Sequence, residues 1–243
     1  MKQPEINFDE SIQLTEGAFE FEALNHASNY RKALIAEFIP WLKGSLIEVG
    51  AGIGQMTGEL LGKTDHISVV EPNPNFCKQF ALRFPQIDCF PDIFSERPES
   101  HPDAIVSINV LEHIKEDEAE LASYAKSLSK NSGALCLFVP ARMEIYAQID
   151  SDFGHYRRYT KKELREKLEK AGFKIEKLHY YGFAGYFAWL LVFRMMKRRT
   201  FNTGSVKLFD RLIFPIVNSI ERHICRPPIG QSLIAVARSC AER

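Results

Sequence analysis

The chain has 243 residues, of which 45% are hydrophobic and 26% charged, with 31 basic and 31 acidic side chains. This composition is typical of a globular protein and excludes a disordered or fibrous chain. The length favours one elaborated domain over two. The formal net charge of zero argues against a generally basic nucleic-acid binder, so no nucleic acid is expected as a partner.

The balanced charge hides an asymmetry along the chain. Residues 181–243 carry ten Lys/Arg against three Asp/Glu, a net charge of +7, so residues 1–180 carry −7. A basic segment of this kind is suited to an anionic partner or a membrane surface. The longest apolar run, residues 183–193, is shorter than the ~20 residues that a spanning helix needs. With no apolar core at the N-terminus, we expect a cytoplasmic protein, peripheral on a membrane at most.

The cysteines form no C-x-x-C pair, and several of them lie in apolar runs. This pattern predicts buried, reduced thiols in a cytosolic protein. The five residues concerned are Cys77, Cys89, Cys136, Cys225 and Cys240.

Hydrophobic periodicity divides the chain up to Pro140 into alternating strands and helices. The first 24 residues are acidic and irregular and are interpreted as an N-terminal arm, followed by a helix from Asn29 to Leu42. Strands this apolar, alternating with helices, predict a parallel sheet covered on both faces. The predicted strands span residues 45–49, 66–71, 87–90, 103–110 and 134–139, with helices reaching Leu61 and spanning residues 73–84 and 117–130.

Beyond Pro140, an irregular stretch leads to a capping box, Thr160 to Glu163, which starts a helix that ends at Gly172. Strands are predicted at residues 173–179 and 232–236. The stretch between them, residues 183–225, reads as an insertion. It contains an amphipathic helix, interrupted by Pro215, whose apolar residues are expected to point inward: Phe209, Leu212, Ile213, Ile216, Ile220 and Ile224.

The strongest functional signal is a glycine-rich turn after the first strand, Gly50-Ala51-Gly52-Ile53-Gly54. Glycine lets a ligand approach the backbone closely, and the following helix N-terminus favours an anion. A dinucleotide-binding fingerprint would need glycine where this chain has Gln55, which disfavours a nicotinamide oxidoreductase. Glu48 lies at the end of an otherwise apolar strand, where a cationic or hydrogen-bonding ligand would offset the cost of its burial.

Two more acids follow the next strands. Glu71 ends the second strand, where a carboxylate can accept both hydroxyls of a ribose. Asp92 follows the third strand and is placed to meet an adenine amino group.

Together with Asn109-Val110-Leu111-Glu112-His113-Ile114, these motifs resemble those of class I S-adenosylmethionine-dependent methyltransferases, in order and spacing over residues 45–140. The resemblance implies S-adenosyl-L-methionine as cofactor. It also implies an α/β, Rossmann-like, doubly wound seven-stranded sheet with an antiparallel last strand. The cofactor-binding residues it implies are Glu48, Gly50, Ala51, Gly52, Gly54, Glu71, Pro72, Asp92, Ile93, Asn109 and Val110.

On this basis the chain is interpreted as a single methyltransferase domain with a helical cap between strands six and seven. Its segments are an N-terminal arm and helix (1–44), a cofactor-binding core (45–140), a substrate loop, helix and strand (141–180), the cap (181–230) and the last strand (231–240).

The segment after strand four has no D/N-P-P-Y/F motif of the kind found in amino-modifying nucleic-acid methyltransferases. It resembles small-molecule methyltransferases instead. His113 is therefore a candidate base that takes a proton from an acceptor hydroxyl. The alternative for His113 is a helix-start histidine satisfied by the backbone.

A second cluster, residues 152–159, is similar to a Gly-His-Tyr-Arg-Arg-Tyr stretch in bacterial methyltransferases of polysaccharide, glycolipid or secondary-metabolite pathways. His155 is a second candidate base, and an arginine can clamp a phosphate or carboxylate. The structural alternative pairs the arginines with an acid such as Asp150 or Asp152 and packs the tyrosines. The predicted substrate-binding residues are Tyr156, Arg157, Arg158 and Tyr159.

Aromatic residues at 183–193 beside Lys197-Arg198-Arg199 suit either a cap over the substrate pocket or a helix in the headgroup plane. The two alternatives are compatible if the acceptor is lipid-linked. We expect methyl transfer to an oxygen, less readily to nitrogen or carbon, of a small-molecule, glycolipid or lipid-linked acceptor. The alternative is an inactive cofactor-binding module acting as partner or regulator. No metal is expected, because no cluster with metal-ligand spacing is visible.

Overall fold

The computed structural model describes residues 25–94, 101–130 and 132–240; the predicted N-terminal arm, residues 1–24, lies outside them. Within these ranges seven strands form one sheet in the order β3-β2-β1-β4-β5-β7-β6. The strands are β1 (Ser45–Val49), β2 (His66–Val70), β3 (Cys89–Phe90), β4 (Ala104–Ile108), β5 (Ala134–Pro140), β6 (Phe173–Tyr181) and β7 (Ser232–Ser239).

The helices alternate with these strands as the periodicity predicts, although several are shorter than expected. The first helix, predicted to reach Leu42, ends as an α-helix at Ala36 and continues as a 3-10 turn, Ile39–Trp41, because Pro40 cannot donate a backbone hydrogen bond. The α-helices are α1 (Ser28–Ala36), α2 (Thr57–Leu60), α3 (Pro74–Arg83), α4 (Asp117–Ser129), α5 (Gln148–Asp152), α6 (Lys161–Lys170), α7 (Phe183–Trp189), α8 (Thr203–Leu208) and α9 (Phe214–His223).

The sheet confirms the predicted fold class, including the antiparallel last strand. β1 pairs in parallel with β2 and β4, and β4 with β5, whereas β7 runs antiparallel to both β5 and β6. The strand order reverses between β1 and β4. Ligands of open α/β sheets bind in the crevice at the carboxyl ends of the strands at such a switch point.

Apolar side chains cover both faces of the sheet. On one face, Leu121 and Tyr124 of α4 and Leu164 of α6 are fully buried against the central strands. On the other, Leu34 of α1 and Phe214 of α9 pack on the same strands. The predicted capping box is confirmed, since the Glu163 amide donates to the Thr160 hydroxyl at 3.2 Å and the Thr160 amide to the Glu163 carboxylate at 2.8 Å.

The cap, residues 182–231 between β6 and β7, is helical as predicted. Its α-helices are interrupted by two π-helical turns, Leu190–Met195 and Phe209–Ile213. The expectation that the apolar residues of its second helix point inward is wrong. Phe209 is half-buried, but five others are exposed, because the buried side of this helix is formed by different residues, Asp210, Phe214 and Glu221. The exposed five are Leu212, Ile213, Ile216, Ile220 and Ile224.

The cysteines differ from the prediction of buried, reduced thiols. Cys77 on α3 and Cys89 on β3 are joined in a disulfide, with their Cα atoms 6.1 Å apart. Cys136 is buried and free as expected, whereas Cys225 and Cys240 are exposed. The pairing arises because α3 packs beside β3, a contact that the spacing of the two cysteines does not signal. In the part of the chain that the structure describes, no helix is long and apolar enough to cross a membrane.

Candidate functional site

The glycine turn lines a cavity of about 680 Å³ at the switch point between β1 and β4, here called the glycine-loop cavity. Gly50 has a φ of +68°, and a Cβ atom there would lie 2.4 Å from Cγ2 of Val110, just after β4. A side chain at position 50 would therefore clash with the neighbouring loop as well as strain the backbone. The close approach of this turn to Val110 therefore requires glycine at position 50, one of the glycines that the sequence motif contains.

Two buried carboxylates line this cavity. The Glu71 carboxylate accepts the Gly52 amide at 2.8 Å and the Asn73 amide at 2.9 Å, so it ties the glycine turn to the end of β2. The Glu48 carboxylate accepts the Thr57 hydroxyl at 2.5 Å. Burial raises the pKa of Glu71, and burial together with the nearby Glu71 charge raises the pKa of Glu48 to about 8.

The structure brings most of the predicted cofactor residues together around the glycine-loop cavity. Asp92 lies in its wall, and its carboxylate accepts the Ile93 amide at 2.9 Å. Gly54 is the exception among the described residues, because its Cα faces Phe84 and a Cβ there would lie 2.4 Å from that ring. The residues that do line the cavity are Glu48, Gly50, Ala51, Gly52, Glu71, Pro72, Asp92, Ile93, Asn109 and Val110.

Several residues that line the glycine-loop cavity were not predicted from the sequence. Phe76 on α3 and Phe94 after β3 add aromatic surface, and Glu120 on α4 adds a further buried acid. Their identities carry no motif, because each comes from an ordinary helix or loop position that only the packing brings to the cavity. Gln55, which stands where a dinucleotide-binding fingerprint needs glycine, also lines the cavity.

A second cavity of about 550 Å³, here called the cap cavity, lies between the carboxyl end of β5 and the cap. Asn109 and Phe153 line both cavities. Asn109 has a positive φ of 53°, a strained conformation of the kind that collects at functional sites. The two cavities therefore adjoin at Asn109 and Phe153, here called the junction.

The two predicted bases flank this junction, with ring centroids 4.6 Å apart in an edge-to-face arrangement. His113 lines the glycine-loop cavity and His155 the cap cavity. Nδ1 of His155 lies 3.2 Å from Oδ1 of Asp150, and its Nε2 lies 3.9 Å from Oε1 of the fully buried Glu112. Burial and the neighbouring His155 lower the pKa of His113 to about 4, so its ring is neutral at neutral pH.

The predicted substrate cluster divides in two. Arg158 is buried, lines the cap cavity, bonds Asp150 at 2.6 Å and lies 4.6 Å over the Trp189 ring. The other three line neither cavity among the described residues. The Arg157 guanidinium pairs with Asp117 at 2.7 Å, the Tyr159 hydroxyl donates to the same carboxylate at 2.9 Å, and Tyr156 is exposed. The pairing of Arg158 with Asp150 matches the structural alternative, and Arg157 and Tyr159 match it with Asp117 as the acid, whereas exposed Tyr156 does not.

The cap cavity has predominantly aromatic and aliphatic walls, with a few charged groups. Trp189, Phe193 and Phe201 pack together in the cap on one side, and Phe138 of β5 lies on the other. Arg198 adds a positive charge to this lining, in addition to Arg158. Apolar walls with a few charged groups are typical of small-molecule sites.

Comparison with known proteins identifies the family. A sequence model described as a methyltransferase domain matches residues 24–178, more than half of the chain. The chain belongs to the methyltransferase domain family. This confirms the family that the sequence motifs predicted. No curated protein matches the chain.

Solved methyltransferase structures share the fold at low sequence identity. An S-adenosylmethionine-dependent methyltransferase from Archaeoglobus fulgidus is 15% identical, with 91% of this chain and 99% of that one covered at a TM-score of 0.59. One from Clostridium acetobutylicum is 9% identical, with 88% and 92% covered at 0.58. The mitomycin 7-O-methyltransferase MmcR is 15% identical, with 92% of this chain but 57% of MmcR covered, also at 0.58.

A side-chain cluster that the sequence did not reveal also lies beside the junction of the two cavities. Ligand atoms of Glu112, His113 and His155 all lie within 4.8 Å of one another, an arrangement that can hold a metal ion. The expectation of no metal depended on the lack of such a cluster in the spacing. That reasoning fails here, because His155 lies far along the chain from the other two and the fold brings them together.

The lowered pKa of His113 can be measured directly. We expect its imidazole to titrate near pH 4 in the folded protein, because burial and His155 both oppose its protonation. The unfolded state then binds this proton first, so the group lowers stability as the pH falls from about 6.5 towards 4. NMR titration of His113, assigned through His113→Gln, measures the pKa, and His155→Gln should raise it. A midpoint near 6.5 would contradict the assigned environment.

Proposed function

We propose that this methyltransferase transfers the methyl group of S-adenosyl-L-methionine to an oxygen atom of an acceptor bound in the cap cavity. The observation that carries the proposal is the junction at Asn109 and Phe153, which line both cavities. A cofactor in the glycine-loop cavity can present its methyl group at this junction to an acceptor on the other side. Holding the two reactants in line supplies much of the rate enhancement.

The residues of the glycine-loop cavity fit the cofactor chemically. Glu48 and Glu71 suit a ligand that carries an ammonium, a sulfonium and a ribose diol. Asp92 suits the adenine amino group, and Gly50 leaves room for a ligand against the backbone. When bound, the cofactor supplies an electrophilic methyl group on a positively charged sulfur.

In the proposed step, the acceptor oxygen forms a bond to the methyl carbon, the carbon–sulfur bond breaks, and the hydroxyl proton passes to a base. We assign the base to His155, because it lines the cap cavity and Asp150 orients its ring. The carboxylates of Asp150 and Glu112, on either side of the ring, stabilise the imidazolium that forms. His113, whose pKa is lowered to about 4 by burial and by the neighbouring His155, remains the alternative.

The acceptor is proposed to be a small molecule, glycolipid or lipid-linked compound with an apolar part and an anionic group. The apolar walls of the cap cavity support the first feature, and Arg198 in its lining supports the second. Likeness to the mitomycin 7-O-methyltransferase is compatible with an oxygen acceptor. We place the enzyme in the cytoplasm, with peripheral membrane contact through residues 183–199, in agreement with the basic charge of this part of the chain.

Cofactor binding should depend on the ionisation of Glu48. In the free protein its carboxyl is protonated below about pH 8, whereas a cationic ligand favours the carboxylate, so binding releases a proton. Calorimetry should show affinity for S-adenosylmethionine rising by up to about tenfold per pH unit until about pH 8, then levelling. Glu48→Gln should bind more weakly and remove this part of the pH dependence. No binding by wild type would refute the proposed function, and a flat wild-type profile would refute the role of Glu48.

The assignment of His155 predicts a change in turnover with little change in cofactor affinity. His155→Gln should lower kcat by about 10²–10⁴-fold, the usual contribution of a general base, while S-adenosylmethionine binds as tightly as before. Asp150→Asn should lower kcat and displace the pH–rate profile by removing the charge that supports His155. The His113→Gln variant is the matched control. A normal kcat in His155→Gln together with a large loss in His113→Gln would transfer the role of base to His113.

A metal-free mechanism predicts that chelation leaves the enzyme active. Protein dialysed against EDTA should transfer methyl groups at the rate of untreated protein, because His155 removes the proton without a Lewis acid. Turnover is measured on an acceptor found by screening hydroxylated amphiphiles with labelled cofactor. Loss of turnover that Zn²⁺, Mn²⁺ or Fe²⁺ restores in wild type, but not in Glu112→Gln, would instead assign the Glu112, His113 and His155 cluster to a metal.

A further inference from the structure

The cap exposes an unusual amount of apolar surface. Among the described residues, 11 of the 17 exposed large hydrophobic side chains lie between Phe183 and Ile224. Nine of them form two stripes in which apolar residues recur at every fourth position, with exposures between 38% and 78%. Contiguous exposed apolar surface marks an interaction site, whereas single exposed side chains need no explanation. The first stripe is Phe183, Phe187, Leu191 and Met195, and the second is Leu208, Leu212, Ile216, Ile220 and Ile224.

The backbone keeps both stripes exposed. In an α-helix of 3.6 residues per turn, a repeat of four drifts around the axis by about 40° per step. Each stripe contains one π-helical turn, Leu190–Met195 or Phe209–Ile213, which is wider than an α turn and offsets this drift. The stripes are also neighbours, because the Glu221 carboxylate accepts the amides of Gly182 and Phe183 at 3.0 and 2.8 Å. The start of the first stripe thus lies beside the end of the second.

The same turns separate the surface from the cap cavity. Val192 and Phe193 line the cavity, whereas Leu191 is exposed on the outside. In the second turn Phe209 lines the cavity, and Leu208 is exposed. A single layer of helix therefore lies between the cap cavity and the two stripes.

The exposed charged side chains of the cap are basic. The cap contains eight Lys/Arg and two acids, Asp210 and Glu221. Both acids are buried and bound to backbone amides, Asp210 to those of Asn29 and Tyr30 at the start of α1. The exposed charge near the stripes is therefore basic, including Arg194, Lys197, Lys207 and Arg211.

We propose that the two stripes dock in the headgroup region of an anionic phospholipid bilayer and that the acceptor enters the cap cavity from that bilayer. Apolar side chains in the headgroup plane, flanked by lysine and arginine, are the features of an interfacial helix. The basic charge complements anionic lipid, each nearby Lys/Arg adding to the attraction. The entry of the acceptor from the bilayer rests on the proposed methyl transfer in the cap cavity, whereas the docking of the stripes on the bilayer does not.

The test is flotation of the full-length protein with vesicles of phosphatidylcholine and phosphatidylglycerol in equal parts, compared with phosphatidylcholine alone. Wild type should partition onto the anionic vesicles, and less so at high salt. The triple variant Leu212→Gln, Ile216→Gln, Ile220→Gln should lose at least about tenfold in partitioning, because it removes apolar surface from the contact. A second variant, Phe187→Gln with Leu191→Gln, makes the same test on the first stripe.

Two further variants separate the contributions. Leu82→Gln alters a leucine on α3 that is 85% exposed, more than any stripe residue, and should float like wild type. Lys207→Gln with Arg211→Gln should weaken binding to anionic vesicles and reduce its dependence on salt. Arg198 and Arg199 are left intact, because Arg198 lines the cavity and Arg199 pairs with Asp152 at 2.7 Å.

Three results would overturn the docking proposal. They are failure of wild type to float with anionic vesicles, unchanged flotation of both stripe variants, and a wild-type dimer in sedimentation that the triple variant converts to a monomer. The dimer would mean that a second copy covers the stripes. Calorimetry with S-adenosylmethionine in the absence of vesicles tests the proposed function separately. Flotation without cofactor binding would leave the membrane contact standing and refute the enzymatic proposal alone.

Discussion

The burial of two carboxylates, Glu48 and Glu71, is the constraint on which the site depends. Moving a carboxylate out of water is costly unless hydrogen bonds or opposite charge compensate. Glu71 is compensated by two backbone amides, and this fixes the glycine turn against β2. Glu48 has only the Thr57 hydroxyl, so its burial, together with the nearby Glu71 charge, raises its pKa to about 8. A cationic ligand would supply the missing compensation, so the cavity is suited to positive charge.

The glycine-loop cavity was predictable because the sequence motifs that form it are local. Gly50 and Glu71 follow directly after a strand and Asp92 lies two residues after one, and the carboxyl ends of parallel strands meet at one edge of the sheet. The order of the motifs along residues 45–140 therefore predicted the fold and ten of the residues around the cavity, but not Phe76, Phe94 or Glu120. Gly54 shows the limit of this reasoning: it belongs to the same turn, yet its conformation serves packing against Phe84.

The cap cavity was less predictable because its contacts join distant parts of the chain. Asp150, His155 and Glu112 meet only when the loop after β5 folds over the end of β4. In the cap, a four-residue apolar repeat shows that a helix has one apolar face but not whether that face meets protein or solvent. The buried acids Asp210 and Glu221 decide its orientation, since each binds backbone amides of a neighbouring helix. The unexpected outward stripes are consequently the main functional information that the structure adds.

Two cavities meet at Asn109 and Phe153, and we propose that a methyl donor binds on one side of this junction and an acceptor on the other. A crystal structure of the protein with S-adenosylhomocysteine tests it most directly. We predict that the nucleoside lies in the glycine-loop cavity, with its ribose on Glu71, its adenine beside Asp92 and its sulfur directed at the junction. A ligand bound elsewhere, or bound there with its sulfur directed away from Asn109 and Phe153, would contradict the account.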